Sequence, residues 1–223
     1  MKKIITLLLV AFVFMPDLSA QSFTANKRIN LYGSYTFDDS VDSYYDFGNY
    51  YQGKINDGML YGVGLEFEFR PSAYIEISYL RETTTAPIQY YTGGIFSQYS
   101  NFDVALNYVM LGVNQSFRKS GSMVEGFGGF SLGMAIGSLD NHANTPAARV
   151  SEDFTKFAWG LKGGAIIWAS PNFGIKLQAQ LLSIAQSVGG GFYYGSGGVS
   201  TGVSTYSSIY QFSLGGGLTY NFN

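Results

Sequence analysis

Nine charged side chains interrupt apolar runs of this 223-residue chain at strand-like spacing, and they are its clearest chemical signal. In "MLYGVGLEFEFRPSAYIEISYLRE", residues 59–82, Glu66, Glu68 and Glu76 stand between large apolar neighbours, with Arg70 and Glu82 at the ends of the two runs. Glu125, Lys156, Lys162 and Lys176 recur in the same way further on. Carboxylates and bases withdrawn from water are costly unless they meet one another, so such groups can pair as ions, line a path for cations, or shift protons. Which of these applies depends on whether the nine side chains share one enclosed face.

Other candidate chemistry is sparse. His142 is the single histidine, in "LDNHANTPAARVSED". An enzyme of this chain would have to build its site around it, with Ser138 and Asp140 as sequence neighbours, and proximity in a loop does not make a dyad. Asp140, His142 and Asp153 lack the spacing of a metal site. With no cysteine, thiol catalysis, disulfides and thiolate metal sites are excluded. No catalytic, cofactor or metal residue is therefore expected, and the chain reads as a non-enzyme. Tyrosines crowd the ends of the polar stretches: Tyr44, Tyr45, Tyr50, Tyr51, Tyr90, Tyr91, Tyr193 and Tyr194. They suit either a girdle at a membrane interface or a recognition surface of rigid aromatic anchors.

The elements that must position these groups have a period of two. In a strand, side chains alternate between faces, so the first run divides into Met59, Tyr61, Val63, Leu65, Phe67 and Phe69 against Leu60, Gly62, Gly64, Glu66, Glu68 and Arg70. Eight segments divide like this, beginning with "RINLYGSYTF" and ending with Tyr210, Phe212, Leu214, Leu218, Tyr220 and Phe222 opposite Gln211, Ser213, Gly215, Gly217, Thr219 and Asn221. In the fourth segment the apolar parity runs through Phe102, Val104, Leu106, Tyr108 and Met110, then shifts to Leu111, Val113 and Phe117. A bulge near Val109 would explain that shift, and so would a wrong strand assignment.

Connections alternate in length. Short turns fall at 70–73, 118–122 and 170–172, and long polar loops occupy roughly 38–57, 83–101, 139–153 and 187–205. Short turns on one side and long loops on the other are the signature of a membrane-spanning barrel, and the segments fit the ~9–11 residues that a tilted strand needs to cross a bilayer. The expected fold is all-β: a closed, antiparallel, up-and-down, eight-stranded transmembrane β-barrel. Its greasy face meets lipid, and Glu66, Glu68, Arg70, Glu76, Glu82, Glu125, Lys156, Lys162 and Lys176 form a charge network that closes the lumen, a narrow cation path being the alternative. Arg81 has outward parity near the rim and is a candidate contact for lipopolysaccharide phosphate.

The N-terminus, "MKKIITLLLVAFVFMPDLSA", has two lysines, an apolar run and a small-residue end, which marks residues 1–20 as a signal peptide and residues 21–223 as the barrel domain. Without Lys2, Lys3 and Asp17 the remainder holds 11 basic and 14 acidic residues, a formal net charge of −3, which gives no support to nucleic-acid binding. At 17% aromatic and 13% charged, the chain is short of the roughly 25% charge of soluble domains.

With this leader, eight alternating segments and the ending "LTYNFN", the chain resembles the small outer-membrane β-barrels of the OmpA/OmpX type. The resemblance implies the outer membrane of a Gram-negative bacterium, a monomer in contact with lipid and lipopolysaccharide, and recognition by the assembly machinery of a last strand in which Leu218, Tyr220 and Phe222 fit the aromatic pattern. It implies a structural or surface-interaction role through four extracellular loops, with an extracellular ligand as a further candidate partner. A barrel enzyme modifying membrane lipid, which would require His142, and a narrow cation pore are the alternatives.

Overall fold

In the computed structural model of the chain, residues 26–46, 49–92, 95–141, 151–185, 190–195, 198–203 and 209–222 are described. They form twelve strands: β1 (Lys27–Thr36), β2 (Asp39–Asp46), β3 (Asn49–Ile55), β4 (Gly58–Arg70), β5 (Ala73–Thr92), β6 (Ile95–Arg118), β7 (Val124–Asp140), β8 (Ser151–Trp168), β9 (Phe173–Ala185), β10 (Gly190–Gly195), β11 (Gly198–Val203) and β12 (Ile209–Phe222). Eight of them close a ring in the order β1-β4-β5-β6-β7-β8-β9-β12, each antiparallel to its neighbours, and the seam pairs Lys27 with Phe222 through to Thr36 with Ser213. Closure leaves no barrel edge, as hydrocarbon requires.

The two faces are inverted relative to a soluble protein. Leu31, Val63, Leu65, Ile77, Leu111, Leu132, Leu161 and Leu218 are exposed on the outside, while Arg28, Glu66, Glu76, Glu125 and Lys176 are buried inside. A continuous exposed apolar band of this kind has no stable counterpart in water, and it fits a bilayer. Rings mark its upper border, where Tyr35 and Phe37 meet edge-on at 5.3 Å and Trp159 meets Tyr210 at 6.4 Å.

Two expectations are corrected. The fourth segment contains no bulge: β6 pairs residue for residue with β5 from Gln115 to Asn101 and with β7 from Arg118 to Asp103, through Val109 without a shift. Its parity is continuous, so Phe102, Val104, Leu106, Tyr108 and Met110 face the lumen and Val109, Leu111 and Val113 face out. Apolarity alone points the run outward, but the lumen is itself apolar at that height. The connections at 38–57, 83–101 and 187–205, moreover, are largely strand among their described residues. β2 and β3 form a hairpin whose second strand joins β5, Tyr50 opposite Tyr91 and Gly53 opposite Ile88. β5 and β6 are 20 and 24 residues long and stay paired to Thr92 and Ile95, far above the apolar band. β10 and β11 pair with each other in a separate two-stranded sheet.

The short turns sit at the opposite end. Between β4 and β5, Pro71 fixes φ on entry and Ser72 takes φ +63°, the left-handed region that costs a non-glycine residue energy. Its backbone is held on both sides, since Ser72 N donates to Glu68 Oε1 at 2.9 Å and its carbonyl accepts from Ser116 N at 2.7 Å. Between β6 and β7 the corresponding position is Gly121, φ +76°, which bears no such cost. Ser72→Val is therefore expected to lower the unfolding free energy of the refolded barrel by about 1–2 kcal/mol, and Ser72→Gly not to lower it. Urea titration of the two variants against the parent checks this; equal stabilities would show that the turn is unstrained.

Candidate functional site

The lower half of the lumen is a layer of three ion pairs that reach between strands distant in the ring. Arg28 on β1 forks onto Glu125 on β7, the strand directly across, with Nη1 to Oε1 at 2.7 Å and Nη2 to Oε2 at 3.3 Å. Lys176 on β9 meets Glu66 Oε1 on β4 at 3.2 Å, and Lys162 on β8 meets Glu76 Oε2 on β5. Each pair thus joins strands that are not neighbours in the ring, and each wall carries both signs.

Neutral side chains tie the pairs together. Asn114 Nδ2 donates to Glu66 Oε1 at 2.9 Å and to Glu76 Oε2 at 3.0 Å, and Tyr32 donates its hydroxyl to Glu76 Oε1. Glu125 also accepts from Ser116 Oγ at 2.6 Å and Trp168 Nε1 at 2.9 Å. Lys176 reaches Asn30 Oδ1 at 3.4 Å, which accepts in turn from Thr219 Oγ1 at 2.7 Å. Aromatic faces cover the cations: Arg28 lies 4.1 Å from the Tyr74 ring centroid and 5.2 Å from that of Trp168, and Lys176 lies 4.5 Å from that of Phe127. Bidentate geometry, several acceptor contacts per carboxylate and stacked rings are what a charge needs to be tolerated away from water.

Small residues make the room. A Cβ on Gly64 would lie 2.6 Å from Glu76 Oε1 and 3.0 Å from the Tyr32 ring, and one on Gly129 would lie 2.0 Å from Asn114 Oδ1. The glycine-rich inward faces of β4 and β7 are therefore the sockets for the tyrosine and the asparagine that bridge the pairs.

Not all nine charges expected in the network join it. Glu66, Glu76, Glu125, Lys162 and Lys176 do. Glu68 belongs to the turn, where Oε2 accepts from Asn26 Nδ2 at 2.5 Å and Oε1 accepts from Ser72 N. Arg70 is exposed at the same rim with its guanidinium 5.9 Å from the Phe69 ring centroid. Lys156 is half-buried on β8 opposite Ala135, in the upper part of the barrel. Glu82 is fully buried in that upper part, among Leu60, Leu80, Leu106 and Tyr108, away from all three pairs. Arg28 joins the network and is not among the nine: it stands just before the first segment's apolar run, although its parity is that of Asn30, Tyr32 and Ser34, which face inward.

Above the ion pairs the lumen is filled by apolar side chains. Leu60, Leu80, Phe102, Val104, Leu106, Tyr108, Met110, Leu182 and Ile184 are buried together against Ala135 and Ala158. Tyr108 spans the barrel and donates its hydroxyl to Gln211 Oε1 on β12.

On the outer surface, Arg81 has its expected outward orientation, with Nη1 3.2 Å from Asn107 Oδ1, an oxygen that also accepts from Tyr79 OH at 2.7 Å. Of the loop tyrosines, Tyr91 donates to Gln89 Oε1 at 2.9 Å. The side chains of Tyr44, Tyr45, Tyr50, Tyr51, Tyr90, Tyr193 and Tyr194 lie outside the described residues, as do His142 and the whole of residues 1–20. No group of three or more histidine and carboxylate side chains among the described residues is placed to hold a metal ion.

No protein-family model matches this sequence, and no curated protein does. Solved structures do. The outer membrane protein OprG from Pseudomonas aeruginosa is 10% identical with a TM-score of 0.56, the match covering 89% of this chain and 96% of that one. Neisserial surface protein A is 13% identical with a TM-score of 0.54, covering 89% and 97%. The outer membrane protease OmpT from Escherichia coli is 12% identical with a TM-score of 0.50, covering 92% and 99%. The closed eight-stranded ring, the apolar outer band and the charged interior, together with these structural likenesses, give the chain the fold of the small eight-stranded outer-membrane β-barrels.

Proposed function

We propose that this protein is a monomeric outer-membrane barrel of a Gram-negative bacterium, delivered by cleavage of residues 1–20, with a closed lumen and a structural or recognition role at the cell surface. The observation that carries the reading is the layer of three cross-lumen ion pairs, each bridged to the next by Asn114 or by Arg28, whose Nη1 also lies 4.0 Å from Glu66 Oε2. Such a layer blocks conduction in a barrel only wide enough for its own side chains. What remains available for work is the part above the lipid: the β2–β3 hairpin, the extended β5–β6 ribbon and the tyrosines near their ends. Aromatic residues on a rigid ribbon suit recognition of an extracellular partner.

Arg81, held by Asn107 below the extracellular rim, is the proposed contact for a lipopolysaccharide phosphate, and β12 with its outward Leu218, Tyr220 and Phe222 is the proposed signal for the assembly machinery. No catalytic step is part of this reading. An enzyme acting on lipid or, like OmpT by its name, on protein remains the alternative of a different class and would rest on His142.

Planar-bilayer recordings should show near-zero conductance for the parent barrel. Lys176→Met should lower the unfolding free energy by on the order of 3 kcal/mol, because it leaves Glu66 buried with its cation gone. The double variant Lys176→Met/Glu66→Gln should cost less than the sum of the two single changes. A steady cation-selective current that Glu66→Gln abolishes, with Lys176→Met leaving stability unchanged, would make the layer a path and not a plug.

Sidedness has its own test. In intact cells a membrane-impermeant thiol reagent should label Lys54→Cys and Gln89→Cys, and should label Ser120→Cys and Ser170→Cys only after the cells are broken. Equal labelling of all four would end the surface reading. For the enzymatic alternative, mass spectrometry of lipids from cells carrying the parent and His142→Ala should give the same species.

A further inference from the structure

At the short-turn end, the lipid-facing band stops on a rim that is basic along one arc and neutral along the rest. β4 closes on Phe69-Arg70 and β6 on Phe117-Arg118, each before a short turn, and Lys119 follows the second. The two turns are neighbours, since Ser116 N on β6 donates to the Ser72 carbonyl at 2.7 Å. Lys27 stands beside them on β1, paired with Phe67 on β4. All four basic side chains are exposed. From β8 to β12 the same rim reads Ala-Ser-Pro-Asn over 169–172 and Asn-Phe at 221–222, without a charged side chain.

No described residue on the arc neutralises it. Glu68 is committed to the turn, accepting from Asn26 Nδ2 and Ser72 N, and Glu125 is buried against Arg28. None of the four basic residues joins an ion pair among the described residues. Arg118 sits under the mouth of the lumen, its Nε donating to the Ser122 carbonyl at 2.8 Å and its guanidinium 5.6 Å from the Trp168 ring centroid. Lys27 and Arg70 lie at the lipid boundary instead. Lys27 has the parity of Ile29 and Leu31, which face lipid, and the Arg70 guanidinium is 5.9 Å from the ring centroid of Phe69, which also faces lipid.

A long basic side chain beside a lipid-facing ring, at the level where the apolar band stops, places its charge among head groups. Two such cations on adjacent strands, with no carboxylate to answer them, complement an anionic head group. We propose that this arc, around Lys27 and Arg70, binds anionic phospholipid of the periplasmic leaflet. The phosphate meets the two cations, and the acyl chains lie along Phe67, Phe69 and Ile75, which is paired with Phe67 from β5. Arg70 offers the phosphate a planar fork and Lys27 a point charge, while Lys119 adds to the field from the next turn. Assignment to the periplasmic leaflet rests on the sidedness proposed above, and the chemistry of the arc does not.

The test uses the full barrel refolded into phosphatidylcholine vesicles, with electron spin resonance comparing spin-labelled phosphatidylglycerol and spin-labelled phosphatidylcholine at the protein boundary. The anionic lipid should associate severalfold more strongly, and the preference should collapse in about 1 M salt, where the screening length is only ~3 Å. Lys27→Gln/Arg70→Gln should remove most of the preference while keeping the heat-modifiable mobility of a folded barrel. Lys54→Gln, which removes a cation from the hairpin at the other end, should leave it intact. Should the double variant fail to fold, Arg70→Lys keeps the charge without the fork and should show a weaker, still salt-sensitive preference. Equal association of the two lipids with the parent would overturn the site, as would a preference unchanged in Lys27→Gln/Arg70→Gln or abolished in Lys54→Gln. So would sedimentation of the parent with peptidoglycan sacculi, lost in Arg70→Gln and unaccompanied by any lipid preference, which would give the arc to that polymer. Sidedness fails separately, because the vesicle result does not depend on which end faces the cell exterior, and labelling of Ser120→Cys in intact cells reads that alone.

Discussion

Hydrocarbon offers a backbone N–H no water to fall back on, so a sheet in a membrane must satisfy every backbone group internally, and only closure of the ring achieves that. The β1–β12 seam is where the chain meets this constraint, joining its first described strand to its last over ten residue pairs. Glycines concentrate there: a Cβ on Gly217 would lie 1.7 Å from the Leu31 carbonyl oxygen, and one on Gly215 would lie 2.3 Å from that of Gly33. Strands that must coil tightly to close bring backbone against the inward face of the neighbour, and only glycine leaves that space. The outer band, the two-layered lumen and the raised ribbon all presuppose this join.

Closure creates an interior that must then be filled, and the chain fills it in two ways. Below, the pairs link β1 to β7, β4 to β9 and β5 to β8, none of which are neighbours in the sheet. They brace the ring across its diameter where ladder hydrogen bonds brace it only around its circumference. Buried ion pairs are weak sources of net stability against well-packed hydrophobic groups, but they are demanding about geometry, because one partner displaced leaves the other exposed to a low-dielectric surround. Above, Phe102, Leu106, Tyr108, Met110 and Leu182 fill space without directional demands. Their large side chains face the small wall of β7 and β8, where a Cβ on Gly133 would lie 2.8 Å from Met110 Sδ and one on Gly160 would lie 2.8 Å from Leu182 Cδ2.

The outer face was legible in the sequence because lipid imposes a uniform rule: wherever a strand crosses the band, its outward positions are apolar or small, and a period of two exposes them. Turn order was legible because "RPSA" and "KSGS" are chemically unlike the long polar stretches that alternate with them. The interior obeys no such uniform rule. Parity recovered Glu66, Glu76, Glu125, Lys162 and Lys176, since a charge on the inward side of a lipid-bathed strand has nowhere else to go. It failed on β6, where both faces are apolar for part of the length and the stronger run lay inside. It placed Glu68 in the lumen because parity carries no information about depth, and the last inward residue before a turn can cap that turn. It also passed over Arg28, whose partner lies 97 residues away, because nothing local distinguishes a terminal surface arginine from one that crosses the barrel.

Depth also separates what the barrel does from what it carries. The braced lower lumen and the lipid-facing band belong to the scaffold, and changes there act on folding. β5 and β6 stay paired beyond the packed interior, with one register shift between Tyr90 and Tyr91, so their upper pairs, from Gln89 with Tyr99 to Thr92 with Ile95, contribute little that closure requires. Strand pairing sustained where no membrane demands it holds the ribbon in a defined orientation, and β3 adds to the same sheet from Tyr50 to Gly53. A rigid platform raised above lipid lowers the ordering cost of any contact made by the residues on it. That economy matters only for whatever contact the raised end makes, whereas the braced lumen and the lipid-facing band act on folding.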